Sequence, residues 1–504
     1  MEYTSSDENF IFHPLPVQEY PGAIGTGMIQ SIFAHCADFE LRRIAFGLEG
    51  RVSLSVCWLD GTVSGGSVSE DILRPLTDFA RSLGAADEES VFALIRAGAV
   101  YSYSVKPRRE LSELVGDLTH GHCAVIFDAL QTALCFEVRT EKTRSVSEPT
   151  LEKSLKGGKD SFVETLRVNT ALVRRRLSTP KLKVIESTIG RRSATRVGLL
   201  YLDGVASPEV VEELARRLDA LDIDALLATG LLEEALSNAP HSPFPQFIHT
   251  ERPDRFAMYL SDGRVGLLID GIPVGLVAPV SFDEFMRVIG DSNMHWLVAS
   301  GITLLRYGAL LIALLLPALY VAISMYHPEM IPRGLLLSVI EAKQDVPFST
   351  ALEVLGMLLA FAFLQEAGLR LPNPIGDTVS IIGALIVGQS AVDASLVSPI
   401  AIIVVALSGI ACYTLPSQDL GFAIRLCRSL LLFGAIFAGL FGVAAASCLV
   451  LLHLACLDSF GVDYTSPLSD EYPLGLLRLL VTPPKRSVKF RPPELKTPDR
   501  RRQR

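Results

Sequence analysis

Residues 307–326 read YGALLIALLLPALYVAISMY, twenty positions without a formal charge. At about 1.5 Å per helical residue this stretch spans roughly 30 Å, the thickness of a bilayer's hydrocarbon core. Before it the chain reads as a soluble protein; after it, apolar runs dominate almost to the C-terminus. The expected architecture is multidomain: α/β followed by a polytopic membrane α domain.

Composition agrees once the two halves are separated. The chain has 504 residues, 20% of them charged, with a formal net charge of -9. Mean hydropathy is +0.36. Most charge precedes Asp291, so the acidic balance belongs to the soluble part and does not suggest a nucleic-acid partner. None of the eight Cys forms a C-x-x-C pair, which favours free thiols in a reducing compartment or in lipid. The N-terminal MEYTSSDENF is acidic and polar, without the features of a signal peptide, so the soluble half is expected in the cytosol.

Residues 1–144 read as a first α/β subdomain. VSLSVCWLDG (52–61) alternates with period two and ends on an Asp-Gly turn. SEDILRPLTDFARSL (69–83) is an amphipathic helix, and HCAVIFDALQTALCFEV (122–138) is two strands about a turn near Asp128. A polar linker follows at 145–161. Residues 162–292 repeat the plan. TRVGLLYLDG (195–204) is a strand, SPEVVEELARRLDAL (207–221) a helix with Ser207 as N-cap, and RVGLLIDGIPVGLVAPV (264–280) two strands about Asp270-Gly271. Leu59-Asp60-Gly61 recurs as Leu202-Asp203-Gly204, and Gly121 and Asp128 recur as Gly263 and Asp270, at nearly one offset. Two explanations fit: an internal duplication, or two unrelated domains sharing hairpin chemistry.

A basic run over 162–196 includes Arg174, Arg175, Arg176, Arg191 and Arg192. No aromatic residue is interleaved within 163–196, so the run reads as a solvated face or a subunit contact.

The membrane domain is expected over 293–460, beginning near the interfacial residue Trp296. Its apolar candidates are 297–326, 347–365, 378–396, 397–416 and 429–457. Pro317 predicts a kink near Ala313. The loop 327–348 reads as re-entrant or interfacial. The tail 461–504 carries nine basic against two acidic residues from Lys485 onward, which favours a cytosolic location. Both termini inside require an even number of crossings; the expectation is four, with 347–365 not crossing.

Several segments resemble the A subunit of the GerA-type spore germinant receptors. These include SFVETLRVNTALVRRRL (161–177), SPFPQFIHTERPDRF (242–256), LRLPNPIG (369–376), GALIVGQSAV (383–392) and SFGVDYTSPLS (459–469), in order along about 118–469. The first hundred or so residues match poorly. Gly157-Gly158-Lys159-Asp160-Ser161 stands where the family usually reads Gly-Pro-Arg-Asp/Glu-Gly, which affects the linker. The resemblance implies a multi-pass protein of the spore's inner (cytoplasmic) membrane, working with a transporter-like B subunit and a lipoprotein C subunit. It also implies a homo-oligomer, a pentamer, forming a cation channel opened by nutrient. The sister stage V sporulation AF-type proteins, without a direct nutrient role, share most of these motifs.

No Walker loop, G-x-S-x-G or H-E-x-x-H occurs, so no enzyme activity and no cofactor are expected. His120-x-His122-Cys123 is a metal-type grouping, but zinc needs about four ligands in a closed geometry, so the grouping reads as a polar turn before a strand and no metal is assigned. The stronger candidates are polar residues at membrane depth: Gln389, Ser390, Asp393, Glu353, Glu366 and Arg306. Gln389 and Asp393 line a cation pore on one reading; on the other, Asp393 sits in an interfacial loop before Ser398. Arg306 either snorkels to the headgroups or pairs with Glu353 or Glu366. Ala384/Gly388, Ala435/Gly439 and Ala438/Gly442 follow the small-x-x-x-small spacing of close helix contacts. Two functions stand: a nutrient-gated receptor or channel subunit, and a secondary transporter or accessory sporulation membrane protein.

Overall fold

The computed structural model describes residues 20–46, 52–82, 87–100, 104–139, 157–370, 388–468 and 475–503, with Pro149 and Glu152. Most of the expected linker, Ala384, and much of the 378–396 candidate lie outside the described residues. The chain divides into two compact units. One holds residues 1–153, 158–229 and 249–276; the other holds 154–157, 230–248 and 277–504.

The first sheet contains β1 (Phe39–Phe46), β2 (Val52–Leu59), β3 (Val105–Arg108), β4 (His122–Phe127) and β5 (Thr132–Glu137). Its spatial order is β1-β2-β4-β5-β3, and the pairings are antiparallel. Helices α1 (Thr26–Ile32) and α3 (Leu111–Thr119) cover one face, while α2 (Arg74–Ser82) lies on the other. Alternate strand residues therefore feed two cores. Val56, Val125 and Leu134 pack with Leu76; Cys57, Ala124 and Cys135 pack with Ile29 and Leu114. Because both faces are covered, all six residues of β4 are buried, and its sequence is continuously apolar after His122.

The second sheet repeats this topology. It holds β6 (Leu182–Ile189), β7 (Thr195–Leu202), β8 (Ile248–Thr250), β9 (Val265–Ile269) and β10 (Gly275–Ala278), in the order β6-β7-β9-β10-β8. Its helices are α4 (Leu166–Arg176), α5 (Pro208–Asp219) and α6 (Pro253–Asp262). The strands that end before Gly61 and Gly204 occupy equivalent positions. Matched glycines adopt left-handed φ: +84° at Gly61 and +75° at Gly204, +83° at Gly121 and +103° at Gly263. The matched aspartates also act alike. Asp128 accepts from the backbone N–H (2.6 Å) and hydroxyl (2.7 Å) of Thr26, the first residue of α1. Asp270 accepts from the N–H of Leu166, the first residue of α4, at 2.9 Å. Each hairpin thus caps the leading helix of its own subdomain, which the duplication explains. Ser207 precedes α5 as expected, but Pro208 opens the helix and the serine side chain makes no cap bond.

Within the same unit the subdomains meet at β6. Cys36 bridges Val184, Ala37 N–H donates to Val184 O at 2.9 Å, and Lys183 Nζ donates to Ile32 O at 2.9 Å. Arg174 and Asp38 form a two-pronged ion pair there, with both side chains 1% exposed.

The other unit is built on α7 (Trp296–Tyr326), α8 (Arg333–Lys343), α9 (Thr350–Arg370), α10 (Pro399–Tyr413) and α11 (Gln418–Cys456). Helices α7, α9 and α11 are long and apolar enough to cross a membrane; α10, with 15 residues, is short. The sequence reading had set 347–365 aside as the segment that does not cross. Helix α9, which includes most of that segment, is long and apolar enough for a span, and the charge of Glu353 is matched by Lys343.

Helix α11 is not one rod. Ala438 and Gly439 leave helical geometry (φ/ψ -137/17 and 57/-137). A Cβ built on Gly434 would lie 2.6 Å from Gly442 O, although residues eight apart in a continuous helix are about 12 Å apart. The chain therefore doubles back into two antiparallel legs. The small residues expected to pack along one helix face instead make the turn. Ala435 is buried, Gly434 faces Gly442 across the hairpin, and Gly439 lies against Tyr326.

Candidate functional site: the polar groups of the helical unit

Helix α7 gives the unit its direction. Its Trp296 end is called proximal and its Tyr326 end distal. Pro317 sits inside α7 and lacks an N–H, which frees the carbonyl of Ala313 four residues earlier. The expected kink position is thus the site of a hydrogen bond. Ser408 Oγ of α10 donates to Ala313 O at 3.1 Å, and Arg428 Nη1 of the first hairpin leg donates to Ser408 Oγ at 3.1 Å. A chain of two bonds crosses three helices at mid-depth. One turn of the leg earlier, Arg425 Nη1 donates to Gln365 Oε1 of α9 at 2.8 Å. Sequence reasoning missed Arg425 and Arg428 because it began the last apolar run at 429. Their spacing of three residues places both on one side of a helix.

At the distal end Glu353 is 2% exposed. Its Oε2 accepts the N–H of Ser398 at 2.9 Å, and its Oε1 lies 3.2 Å from Lys343 Nζ. Lys343 also donates to Thr350 Oγ1. One carboxylate thereby ties the end of α8, the start of α9 and the N-terminus of α10, where a negative charge is favoured by the helix dipole. Beside Lys343 a cavity of about 520 Å³ opens between α7 and α8, walled by Ile331, Leu336, Val339 and Ile340. Tyr326 OH donates to Ile436 O beside the hairpin turn, closing the distal end.

Gln389, Ser390 and Asp393 lie on a helical turn just before α10, and all three are exposed in the single chain. Glu366 is exposed on α9. Arg306 makes neither of the contacts expected of it. Its guanidinium pairs with Asp291 (2.5 and 3.0 Å) and donates to Met286 O at 3.1 Å. The cause is location: Arg306 faces the 3-10 turn Ile289–Asn293 that precedes α7, at the end opposite Glu353.

The proximal end is a seat for the chain after the hairpin. Tyr464 is fully buried among Phe244, Phe282 and Phe285; its OH donates to Pro245 O at 2.9 Å, and its carbonyl accepts Phe282 N–H at 2.8 Å. Burial drives the phenol well above its ordinary value. Ser459 Oγ accepts Val280 N–H (3.1 Å) and donates to Gln246 O (3.3 Å), while Asn238 Nδ2 donates to Asp458 Oδ2 at 2.6 Å. His453, near the end of the second leg, shares a 2.9 Å hydrogen bond with Ser242 Oγ. Residues 238–246 and 280–286 are therefore bonded directly to the hairpin's return leg and the loop beyond it.

Of the basic run, Arg174 is consumed at the subdomain junction. Arg176 pairs with Asp160 at 2.5 Å, and Arg191 and Arg192, both exposed, pair with Asp222 and Asp224 at 2.7 and 3.0 Å. Arg175 is exposed. The His120/His122 grouping resolves into backbone contacts: His120 Nδ1 lies 2.7 Å from Gly116 O and His122 Nδ1 3.0 Å from Asp117 O. Burial holds His122 below its ordinary pKa, and pushes the thiols of Cys57, Cys123 and Cys135 up.

A family described as Bacillus/Clostridium GerA spore germination protein matches residues 27–494. The chain belongs to this family. Among its relatives, the uncharacterized membrane protein YfkQ of Bacillus subtilis (strain 168) is 37% identical over 434 residues, covering 86% of this chain and 83% of the relative. Spore germination protein B1 of the same organism is 34% identical over 467 residues, covering 93% and 95%. A solved structure, the N-terminal domain of the A subunit of the Bacillus megaterium spore germinant receptor GerK3, is 28% identical. It covers 51% of this chain and 93% of its own length, with a TM-score of 0.39. As a member of the GerA family with three helices, among the described residues, long and apolar enough to cross a membrane, the protein is a multi-pass membrane protein.

Proposed function

We propose that this GerA-family protein is the A-type membrane subunit of a nutrient-responsive germinant receptor. It assembles with copies of itself into a gated cation channel of the spore's inner membrane, alongside a transporter-like B subunit and a lipoprotein C subunit. The observation that carries this reading is the proximal seat. Segments 238–246 and 280–286 are hydrogen-bonded to the last transmembrane leg and its loop, so movement of these segments reaches the helices without a flexible linker.

The helix directions support an even number of passes with both termini in the cytosol. Helix α7 runs proximal to distal, and α9 and α10 both run distal to proximal, because Glu353 and Ser398 meet at one end and Phe361 abuts Gly409 further along. The hairpin of α11 adds two legs of opposite direction, which return the chain to the proximal end. Gln389 and Asp393 are the pore candidates, because a carboxylate ring around an oligomer axis favours cations. Ion flux through liposomes holding the purified protein, with and without its partner subunits, tests the reading. Nutrient-dependent cation flux is the expected result; nutrient uptake without ion conduction overturns it in favour of a transporter.

A further inference from the structure

The C-terminal segment is folded. Phe490 bridges Arg501 in antiparallel sense, Arg491 N–H donates to Arg500 O at 2.9 Å, and Arg502 N–H donates to Lys489 O at 2.9 Å. Arg491 Nη1 closes the loop on the carbonyls of Asp499 (2.7 Å) and Arg501 (2.9 Å). Leu495, 2% exposed, anchors it. What this small scaffold displays is mainly basic and aromatic, with one exposed carboxylate, Asp499, paired to Arg491. Arg486, Lys489, Arg500 and Arg501 are exposed, and Phe490 is 67% exposed. As cross-strand partners, Phe490 and Arg501 project to the same side.

Its position is fixed by the first turn of α7. Thr482 N–H donates to Ser300 Oγ at 3.0 Å, one turn after the exposed interfacial Trp296. Lys485 lies three residues beyond Thr482, a reach of about 11 Å at full extension. The basic loop therefore begins within about a Debye length of the membrane surface, where phosphate-bearing headgroups act on it through only partial screening. We propose that residues 485–503 form a headgroup clamp for anionic phospholipid. The exposed guanidinium and ammonium groups hold the lipid phosphates, and the Phe490 ring enters the interface beside them. Charge complementarity selects the occupant, because the cytoplasmic leaflet is anionic and a ring flanked by cations suits a lipid surface. The inference does not depend on the conduction reading.

The test uses full-length protein carrying Phe490→Trp in nanodiscs, with the unsubstituted protein subtracted. Three conditions are compared: phosphatidylcholine alone, phosphatidylcholine with phosphatidylglycerol, and phosphatidylcholine with added inorganic phosphate. Brominated acyl chains report ring insertion by quenching. The expected result is quenching with phosphatidylglycerol only, reversed by high salt. Arg500→Gln with Arg501→Gln should weaken it about 25-fold, at roughly fivefold per basic residue. Arg500→Lys with Arg501→Lys keeps the charge and should keep the quenching, which separates lost attraction from a lost fold. Equal quenching in the phosphatidylcholine and phosphatidylglycerol discs, or a Gln pair that behaves as the Lys pair, overturns the clamp. Protection by inorganic phosphate without quenching assigns the site to free phosphate and also overturns it.

Discussion

Arg174 and Asp38 show how one residue's context decides its role. In the sequence Arg174 stands in a run of three arginines; in the structure it alone of the three is enclosed, and its partner lies 136 positions away. Removing one member of a buried pair strands the other charge. Arg174→Met should therefore destabilise the soluble unit by about 3–5 kcal/mol, and adding Asp38→Leu should recover much of that. Thermal unfolding of the single and double variants reads both effects; an additive loss would mean the pair is not coupled. His122 gives a pH dependence. Its folded pKa is held down by burial, so below about pH 6.5 the unfolded chain takes up a proton that the folded chain does not. Stability should fall as pH drops through that value, by at most about 1.4 kcal/mol per unit, and His122→Asn should flatten the slope. At this scale the sequence was legible where spacing carried the message. Asp128 and Asp270 recur at one offset, and both cap a helix start. It was silent on Arg174, because nothing local distinguishes a buried arginine from its solvated neighbours.

At the scale of elements, Pro317 and Ser408 act as a unit. The proline removes a backbone donor from α7, and the serine of α10 replaces it. Ser408→Ala should cost about 1 kcal/mol while Pro317 is present, within the range measured for hydrogen bonds between membrane helices. In a Pro317→Ala background the helix regains its own N–H at 317, and the same change should cost little. A double-mutant cycle of unfolding in detergent measures the coupling; equal costs in both backgrounds would show that Ser408 answers to Arg428 rather than to the freed carbonyl. The soluble elements were readable because strand alternation and Asp-Gly turns are local signals. The hairpin in α11 was not. Ala435, Ala438, Gly439 and Gly442 have the spacing of a helix-packing stripe, and the same small residues permit a tight reversal. Only the close approach of Gly434 and Gly442 distinguishes the two, and that is a tertiary fact.

For the molecule as a whole, the charged groups of the helical unit fall into two kinds. Glu353, Lys343, Arg306, Arg425 and Arg428 face partners within the chain, so they hold helices together. Asp393 and Gln389 are exposed in the single chain and are therefore available to a neighbouring copy or to a pore. The sequence pointed to Asp393 and Glu353 alike, because intramembrane charge is informative wherever it occurs. Burial separates them. If Asp393 lines a cation path formed between copies, a ring of carboxylates sets its preference at short range, where water screens incompletely. Asp393→Asn is nearly isosteric and should lower cation flux several-fold while assembly is unchanged. Asp393→Lys reverses the field and should stop cation passage. Glu353→Gln, by contrast, leaves Lys343 without its counter-charge and should reduce stability before it alters selectivity. Flux and oligomer size measured on the same preparations distinguish these outcomes. Unchanged selectivity in a normally assembled Asp393→Asn protein would remove residue 393 from the pore. The enclosed Glu353 could not take its place, because an ion would first have to displace Lys343 and the N–H of Ser398.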